Sequence, residues 1–371
     1  MPQVSTYQKP INSLHILCPN SAYALFVALL LLLAPQSISI SHGQESNKSF
    51  PKYRGAVLAH VHRKTKGYGS KRAESMRQHL RSVGYNSIQL NSFAYMRSVK
   101  QLSVVGDGDT SLSNELLAKE ILRLHQLGFS TMLKPHIWVG GSQLDPANWR
   151  SNIDFTDNSQ RRIWFKSYEA FMLAQAELAE RTRVELFVVG TELVKLGQYQ
   201  KDWRELIEKV KNVYTGKLTY AAEWSNAENI QFWDALDYIA IDAYYPLSNK
   251  NNPSVEELIN AWSPRRQKIE TLAERWSRKI IFTELGYKSQ LGTAIRPWEW
   301  KKDGALSELE QQNALDAALR TFWNRPYFAG FFIWKYFTDN NSYERSNIER
   351  GFTPFGKSAE EMMKNLLKNM E

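Results

Sequence analysis

Residues 184–193 read VELFVVGTEL. The run is apolar and rich in β-branched residues, and near its end Thr191-Glu192 introduces a carboxyl group on the glutamate side chain. An apolar run without polar alternation is typical of a parallel strand that is buried on both faces. Residues 279–286 (KIIFTELG) repeat the pattern and end in Thr-Glu at Glu284. The two segments predict two buried strands, each of which delivers one carboxyl group to the end of a sheet.

Strand-like and helix-like segments alternate along the chain from residue 53 onward. We predict eight strands, at residues 55–61, 86–93, 129–136, 184–193, 217–224, 237–244, 279–284 and 328–334. A helical pattern follows each strand, at residues 70–83, 114–127, 159–181, 199–214, 229–236, 254–275, 308–323 and 358–370. Ser113 is a candidate N-cap, and Gly84 and Gly128 mark helix ends.

Eight strand–helix units with buried strands favour an α/β fold of the closed (β/α)8 type, the TIM barrel. An open doubly wound sheet would carry a glycine-rich phosphate turn after its first strand, and residues 62–69 (HRKTKGYG) do not form one. We therefore predict a single catalytic barrel domain over residues 50–371.

The first 43 residues differ in composition from the rest of the chain. They contain one basic residue, Lys9, and no acidic residue, and residues 22–34 (AYALFVALLLLLA) are apolar. A run of this length is short for a membrane span and suits a secretory signal peptide, although an uncleaved N-terminal anchor is an alternative. The expectation is an exported protein that is secreted, periplasmic or tethered to a membrane.

Polar and aromatic residues follow the predicted strands, where the chemistry of such barrels lies. They are Asn91, Phe93, Lys134, His136, Glu192, Glu223, Trp224, Asp242, Tyr244, Tyr245, Glu284, Tyr287 and Trp334, with Trp138 and Trp149 in the loop after the third strand. The set has no histidine pair at metal spacing, no nucleophile elbow and no phosphate cradle, so the sequence predicts no metal and no cofactor. The 47 Lys and Arg residues form no arginine-rich block, and we expect no nucleic-acid partner.

Side-chain alternation along a strand predicts which residues share a face. If Glu192 points into the barrel mouth, Gly190 and Val188 should point inward too. If Glu284 does so, Phe282 and Ile280 should line the barrel core beneath it. The same logic groups Ala240, Asp242 and Tyr244 on one side and Tyr245 on the other, and it groups Gly330, Phe332 and Trp334 on the eighth strand.

Two facing carboxyl groups between aromatic walls suit glycoside hydrolysis, in which one protonates the departing oxygen and the other attacks or stabilises the anomeric carbon. Each residue also has a structural interpretation. A glutamate after a strand can cap a helix, His136 can be a structural histidine, and Trp334 can belong to the core. Asp242 can anchor the barrel through hydrogen bonds, and Trp138 and Trp149 can pack the loop.

Five segments together resemble glycoside hydrolase family 113: MLKPHIWV (132–139), FVVGTEL (187–193), YIAIDAYYPL (238–247), IIFTELGY (280–287) and GFFIWKYF (330–337). That family includes endo-β-1,4-mannanases and belongs to a clan of retaining (β/α)8 glycosidases with glutamates on strands four and seven. Many clan members carry Asn before the acid/base, where this chain, like family 113, has Thr191.

The resemblance implies roles for individual residues. Glu192 resembles the acid/base and Glu284 the nucleophile. Tyr244 or Tyr245 resembles the tyrosine that orients the nucleophile, and alternation favours Tyr244. Trp334 resembles the floor beneath the attacked sugar, and Lys134 and His136 resemble polar contacts after strand three.

The leading hypothesis is a retaining glycosidase whose partner is a β-linked polysaccharide or oligosaccharide, with mannan as the expected substrate. Asn91, Trp138, Glu223, Trp224 and Asp242 complete the predicted substrate-binding set. Two alternatives stay open at this point: a barrel that binds glycans at the cell envelope without cleaving them, and a phage-tail-like or gene-transfer-agent barrel domain.

Overall fold

The computed structural model describes residues 52–63, 65–106, 112–301, 303–340 and 348–370. Its strands, in chain order, are β1 (Tyr53–Ala59), β2 (Ser87–Leu90), β3 (Phe93–Met96), β4 (Ser130–Leu133), β5 (His136–Val139), β6 (Leu186–Thr191), β7 (Lys217–Glu223), β8 (Tyr238–Asp242), β9 (Lys279–Leu285) and β10 (Phe328–Phe337). The α-helices are α1 (Lys71–Val83), α2 (Asn114–Gln126), α3 (Asn158–Thr182), α4 (Gln200–Lys211), α5 (Val255–Trp276), α6 (Glu308–Phe322) and α7 (Ser358–Lys368).

Eight of these strands close into a parallel barrel. Around the ring their order is β1-β2-β4-β6-β7-β8-β9-β10, and β10 pairs with β1 to complete it. The helices lie between successive strands, so the predicted (β/α)8 TIM barrel is confirmed. In this ring β6 is the fourth strand and β9 the seventh, as the order of the eight predicted strands implies.

Two barrel strands are shorter than predicted, and each continues as part of a second sheet. The predicted strand at 129–136 stops at Leu133, because Pro135 cannot donate to the ladder, and the chain resumes as β5. β5 pairs in parallel with β3, which continues from β2. This two-stranded sheet extends one wall of the barrel beyond its rim and carries Phe93 and His136.

The helix ends follow the chemistry of the sequence. Ser113 caps α2 by accepting a hydrogen bond from the Leu116 N–H at 3.2 Å. Gly84 ends α1 with φ +108°, a left-handed conformation that glycine adopts at low cost. One predicted helix differs: in place of a continuous helix at residues 229–236, the chain forms two short 3₁₀ turns, Ala227–Asn229 and Trp233–Ala235.

The apolar side chains separate into an inner and an outer layer. The outer layer lies between the strands and the helices and contains most of the buried aromatic residues. The inner layer fills the barrel with buried side chains from alternating strand positions: Val57, Met132, Leu186, Val188, Ala221, Ile281, Ala329 and Phe332. The barrel is therefore a packed core whose open end is the rim where the strands finish.

β-Bulges correct two of the alternation predictions. On β6 the pairing with β7 shifts between Val188 and Thr191, so Val188 points inward as predicted but Gly190 faces the outer layer. On β9 the pairing with β8 shifts just before Glu284, and Ile281 rather than Phe282 or Ile280 lies in the barrel. An extra residue in each strand re-aims the following carboxyl group.

Gly190 allows the bulge because a side chain there would enter an aromatic cluster. A Cβ atom at this position would lie 2.6 Å from Cη2 of Trp203 and 2.8 Å from Cε2 of Tyr220. Both rings are buried in the outer layer and cannot move aside freely. The glycine therefore lets the strand pack tightly at the point where it turns Glu192 into the mouth.

The apolar leader predicted at residues 1–43 lies outside the described residues. Within the described ranges no helix is long and apolar enough to cross a membrane.

We predict that Gly190→Ala destabilises the protein by about 1–3 kcal/mol, because overpacking a close-packed core forces its neighbours to shift. Trp203→Phe removes the ring atoms that lie nearest to the added Cβ atom. The double variant should therefore lose less stability in urea unfolding than the sum of the losses in the two single variants. A coupling of roughly 0.5 kcal/mol or more is expected. Strictly additive effects would show that the contact with Trp203 is not the constraint.

Candidate active site

A buried lysine lies at the centre of the barrel mouth. Lys134 follows β4, is fully buried, and its Nζ lies 2.6 Å from Oδ1 of Asp242 and 2.7 Å from Oε1 of Glu284. Burial alone would lower the pKa of Lys134, but the charges of the two carboxylates outweigh it and the pKa is raised. Lys134 is therefore a fixed cation that links the ends of three strands.

Glu284 is held at both of its carboxylate oxygens. Oε1 accepts from Lys134, and Oε2 accepts a 2.7 Å hydrogen bond from the hydroxyl group of Tyr244. Burial, with the negative charge of Glu284, raises the pKa of Tyr244 well above its ordinary value, so the phenol remains a donor. The alternation prediction that selected Tyr244 over Tyr245 agrees with this geometry.

Asp242 lies beneath Glu284 and is completely buried. Its Oδ1 accepts hydrogen bonds from Lys134 and from the Thr283 hydroxyl at 2.8 Å, while Oδ2 has no partner among the described residues. Burial, followed by the charge of Glu284, raises the pKa of Asp242 well above its ordinary value. Burial penalises the charged form of Asp242, and the negative charge of Glu284 nearby adds to that penalty, although Lys134 opposes both effects.

His136 and Asn91 form the wall next to Glu284. The Asn91 side-chain amide lies 2.7 Å from Nε2 of His136, and that nitrogen is 3.9 Å from Oε1 of Glu284. Burial and the charges of Arg150 and Lys134 lower the pKa of His136 well below its ordinary value, so the ring is neutral. Asn91 is in turn fixed by the side-chain amide of Gln89 at 3.1 Å.

Aromatic rings surround this polar cluster on the β10 side. Trp334 stacks against the His136 ring, with centroids 6.3 Å apart and planes 22° apart, and Phe93 contacts His136 from the second sheet at 5.7 Å. Trp334 also packs on the inner layer of the barrel and is half-buried. Trp138 lies two residues beyond His136 on β5 and is half-buried.

Glu192 reaches the mouth from the opposite side in a left-handed conformation, with φ +52°. Its backbone N–H still bonds to the Ala221 carbonyl at 2.9 Å, and Oε2 accepts from Nη1 of Arg150 at 3.2 Å. Burial raises the pKa of the Glu192 carboxyl group, the charge of Glu284 raises it further, and the guanidinium of Arg150 opposes the rise. The two glutamates are therefore close enough to act on each other electrostatically.

Arg150 is the site residue that the sequence analysis missed. It lies in a 3₁₀ turn of the loop after β5, is 7% exposed, and donates from Nε to the Ile137 carbonyl at 3.2 Å. Its guanidinium also covers the Trp149 ring, 4.4 Å from the centroid. The available signal was a lone arginine in a tryptophan-rich loop, which by sequence resembles any solvated basic residue.

Of the remaining predicted residues, Glu223 and Trp224 lie at the end of β7, whereas Tyr245 and Tyr287 follow β8 and β9. Glu223 ends β7, is half-buried and accepts a hydrogen bond from the Ser225 N–H at 3.1 Å. Trp224 follows it and packs on the ring of Tyr245, with centroids 5.5 Å apart. Tyr245 faces the outer layer beneath Trp224 and does not reach the carboxyl groups, and Tyr287 is also buried in that layer.

The arrangement combines two carboxyl groups of different character in one mouth. Burial raises the pKa of Glu192, which suits it to donate a proton, whereas Glu284 is held by an ammonium and a phenol that both donate to it. An acid and a fixed carboxylate on facing strands are the groups that cleavage of a glycosidic bond requires. In the described part of the chain, no group of three or more His, Cys, Asp or Glu side chains is placed to hold a metal ion.

Solved structures of several glycosidases are similar to this fold. A GH113 β-1,4-mannanase in complex form aligns with a TM-score of 0.74 and 26% identity over 86% of this chain and 99% of that chain. The GH113 β-mannanase from Alicyclobacillus acidocaldarius in complex with ManMIm aligns with a TM-score of 0.75 and 25% identity, over 87% and 99%. A β-glucuronidase from Ruminococcus gnavus shares the fold, with a TM-score of 0.59 and 14% identity over 85% of this chain and 50% of that chain.

A comparison with curated protein sequences finds no significant match, but a model of a protein family does match this chain. The family model described as Glycoside Hydrolase Family 113 matches residues 59–357, which include all eight barrel strands except the first six residues of β1. The chain therefore belongs to glycoside hydrolase family 113.

Proposed function

We propose that this glycoside hydrolase cleaves β-1,4-mannan or its oligomers with retention of configuration, using Glu284 as the nucleophile and Glu192 as the acid/base. The observation that carries the proposal is the different environment of the two carboxyl groups: both oxygens of Glu284 accept hydrogen bonds from fixed donors, whereas burial raises the pKa of Glu192. Mannan is supported by the β-1,4-mannanases among the similar structures. Retention is what the resemblance to the clan implies.

In the first step the sugar that is attacked lies over Trp334. The carboxylate of Glu284 forms a bond to the anomeric carbon as the glycosidic bond breaks, and the proton of Glu192 passes to the departing oxygen. The products of this step are a glycosyl ester on Glu284 and a free sugar hydroxyl on the leaving chain. Glu192 is left as a carboxylate.

The second step uses the change in charge that the first step creates. Once Glu284 is esterified it is neutral, so the charge that helped to raise the pKa of Glu192 is gone and the Arg150 guanidinium stabilises the new carboxylate. Glu192 takes a proton from water, the water oxygen bonds to the anomeric carbon, and the ester bond breaks. Two inversions at that carbon give net retention.

Lys134 and Tyr244 position the nucleophile and do not exchange protons in this scheme. Their hydrogen bonds, at 2.7 Å each, fix the plane of the Glu284 carboxylate before the substrate arrives. A nucleophile that is already oriented avoids the entropic cost of alignment at the moment of reaction. The neutral ring of His136 is available beside it to bond a sugar hydroxyl without adding charge.

We also propose that the protein is exported, with residues 1–43 as a signal peptide or an envelope anchor. The support is the sequence of that segment, which lies outside the described residues. The mass of the mature protein from its native host tests this proposal. A chain that begins near residue 44 supports cleavage, whereas an uncleaved chain in the cytoplasm contradicts export.

A reducing-sugar screen over mannan, glucomannan, xylan, β-glucan and chitosan tests the proposed substrate. We expect release of reducing ends from mannan above all, with Glu284→Gln as the blank that removes the nucleophile and keeps the size of the side chain. Activity on another polymer without activity on mannan would contradict the substrate assignment and leave the catalytic assignment in place.

Substitution of the two glutamates tests their roles. Glu192→Gln should lower kcat on mannan by about 10²–10⁴-fold, because a positioned acid/base contributes that much. Glu284→Ala should be inactive alone, and azide should restore turnover of an activated aryl β-mannoside and yield the α-azide, since one displacement inverts the anomeric carbon. Glu185→Gln, at the opposite end of the same segment, is the control and should keep roughly wild-type activity. Undiminished activity in Glu284→Gln would refute the assignment.

The pH dependence of kcat/KM tests the electrostatic role of Arg150. Glu192 must be protonated for the first step, so activity falls as pH rises through its pKa. Because Arg150 lowers that pKa, Arg150→Gln should raise it and move the alkaline limb to higher pH. Arg161→Gln is a matched control, since Arg161 pairs with Asp202 at 3.0 Å outside the mouth. A limb that stays in place or moves to lower pH would contradict the assignment of Glu192 as the acid.

A further inference from the structure

We propose that Trp224 and Trp298 form a sugar-binding platform on the leaving-group side of the mouth, beyond the bond that is cleaved. This tryptophan platform rests on the proposed function and adds to it, because it predicts where the departing part of the chain is held. Its expected ligand is the sugar unit of a β-linked chain that lies past the acid/base.

The two indoles stack face to face at the rim of the barrel. Their centroids are 5.5 Å apart and their planes differ by 25°. Trp298 is 45% exposed, although one face of its ring is covered by Trp224. The core supports the stack, because Trp224 packs on Tyr245 and Tyr245 packs on the fully buried Trp262. The ring centroids of Tyr245 and Trp262 are 5.3 Å apart. An exposed aromatic face is thus held on a rigid support.

The loop that carries Trp298 is braced on both sides of it. Before Trp298, the Ala294 carbonyl accepts from the Leu247 N–H at 2.8 Å. After it, the Lys301 carbonyl accepts from Nζ of the buried Lys288 at 2.6 Å. The carboxylate of Glu310 also accepts from the N–H of Gly292, at 2.8 Å. A platform fixed in advance loses little conformational entropy when it binds a ligand.

Strand pairing puts the platform on the side of the acid. β7 is the neighbour of β6, and its residue Ala221 accepts from the backbone N–H of Glu192 at 2.9 Å. Two residues later Glu223 ends the strand, and its charge contributes to the raised pKa of Glu192. Trp224 follows directly. The ring of Trp334, in contrast, lies with His136 next to Glu284, so aromatic surfaces occupy both sides of the catalytic pair.

The chemistry of the platform matches a pyranose ring. The C–H face of a sugar is apolar and packs on an indole, which supplies a large flat area at a low cost in side-chain entropy. The half-buried carboxylate of Glu223 next to the platform can accept a hydrogen bond from a sugar hydroxyl. Sites on both sides of the cleaved bond favour cleavage within a chain over removal of terminal units.

Trp298→Ala tests the platform by the ratio of two specificity constants. The ratio of kcat/KM for β-1,4-mannohexaose to kcat/KM for β-mannobiosyl fluoride should fall about tenfold, because the fluoride leaving group has no ring to stack on the platform and one stacked ring is worth about that factor. Trp298→Phe keeps a stacking ring and should recover most of the ratio. Trp300→Ala is the matched control: Trp300 is 51% exposed and belongs to none of the ring pairs among the described residues.

Two results would overturn the proposal: an unchanged ratio in Trp298→Ala, or the same fall in Trp300→Ala. Equal losses on both substrates leave the ratio unchanged and would show that the loop supports the catalytic centre instead. If the wild-type enzyme cleaves no mannan, the comparison is made with oligomers and glycosyl fluorides of the β-glycan it does cleave. The substrate proposal and the platform proposal therefore fail separately.

Discussion

The ammonium group of Lys134, buried between Asp242 and Glu284, is the interaction on which the site depends. Removing one partner from a buried ion pair costs about 3–5 kcal/mol, because it leaves an uncompensated charge. Burial, followed by the charge of Glu284, raises the pKa of Asp242, while Lys134 holds the carboxylate of Glu284 in place. Burial and the negative charge of Glu284 in turn raise the pKa of Glu192. The buried lysine thus fixes the geometry and takes part in the division of roles.

Much of the fold could be predicted from the sequence, because its strands and helices follow from patterns within short segments of the chain. Apolar runs that end in Thr-Glu gave the fourth and seventh barrel strands, and the contacts of Lys134, Tyr244 and Glu284 lie where strand ends were expected. Helix caps such as Ser113 were equally visible, since a cap satisfies backbone donors a few residues away. The residue types were sufficient to predict a structural feature wherever that feature depends on residues close to one another in the chain.

Features decided by distant partners could not be read in this way. Gly190 faces the outer layer, where Trp203 and Tyr220 leave no room for a side chain, and simple alternation therefore misplaced this residue. Arg150 enters the mouth only because its loop folds back over β5, and no local pattern distinguishes it from a surface arginine. Trp298 likewise stacks on the ring of Trp224, which lies 74 positions earlier in the chain and directly follows β7. The positions of these residues depend on packing against residues distant in the sequence, which periodicity does not predict.

The central claim is that Glu284 becomes covalently bonded to the sugar. The most direct measurement is trapping with a 2-deoxy-2-fluoro β-mannosyl fluoride, in which the fluorine at C2 slows both steps and the fluoride leaving group restores the first. Peptide mass spectrometry should then find the fluorosugar esterified to Glu284, with one equivalent bound per inactivated enzyme. Turnover of mannan by an enzyme that forms no such ester, or an ester on Glu192, would contradict the account.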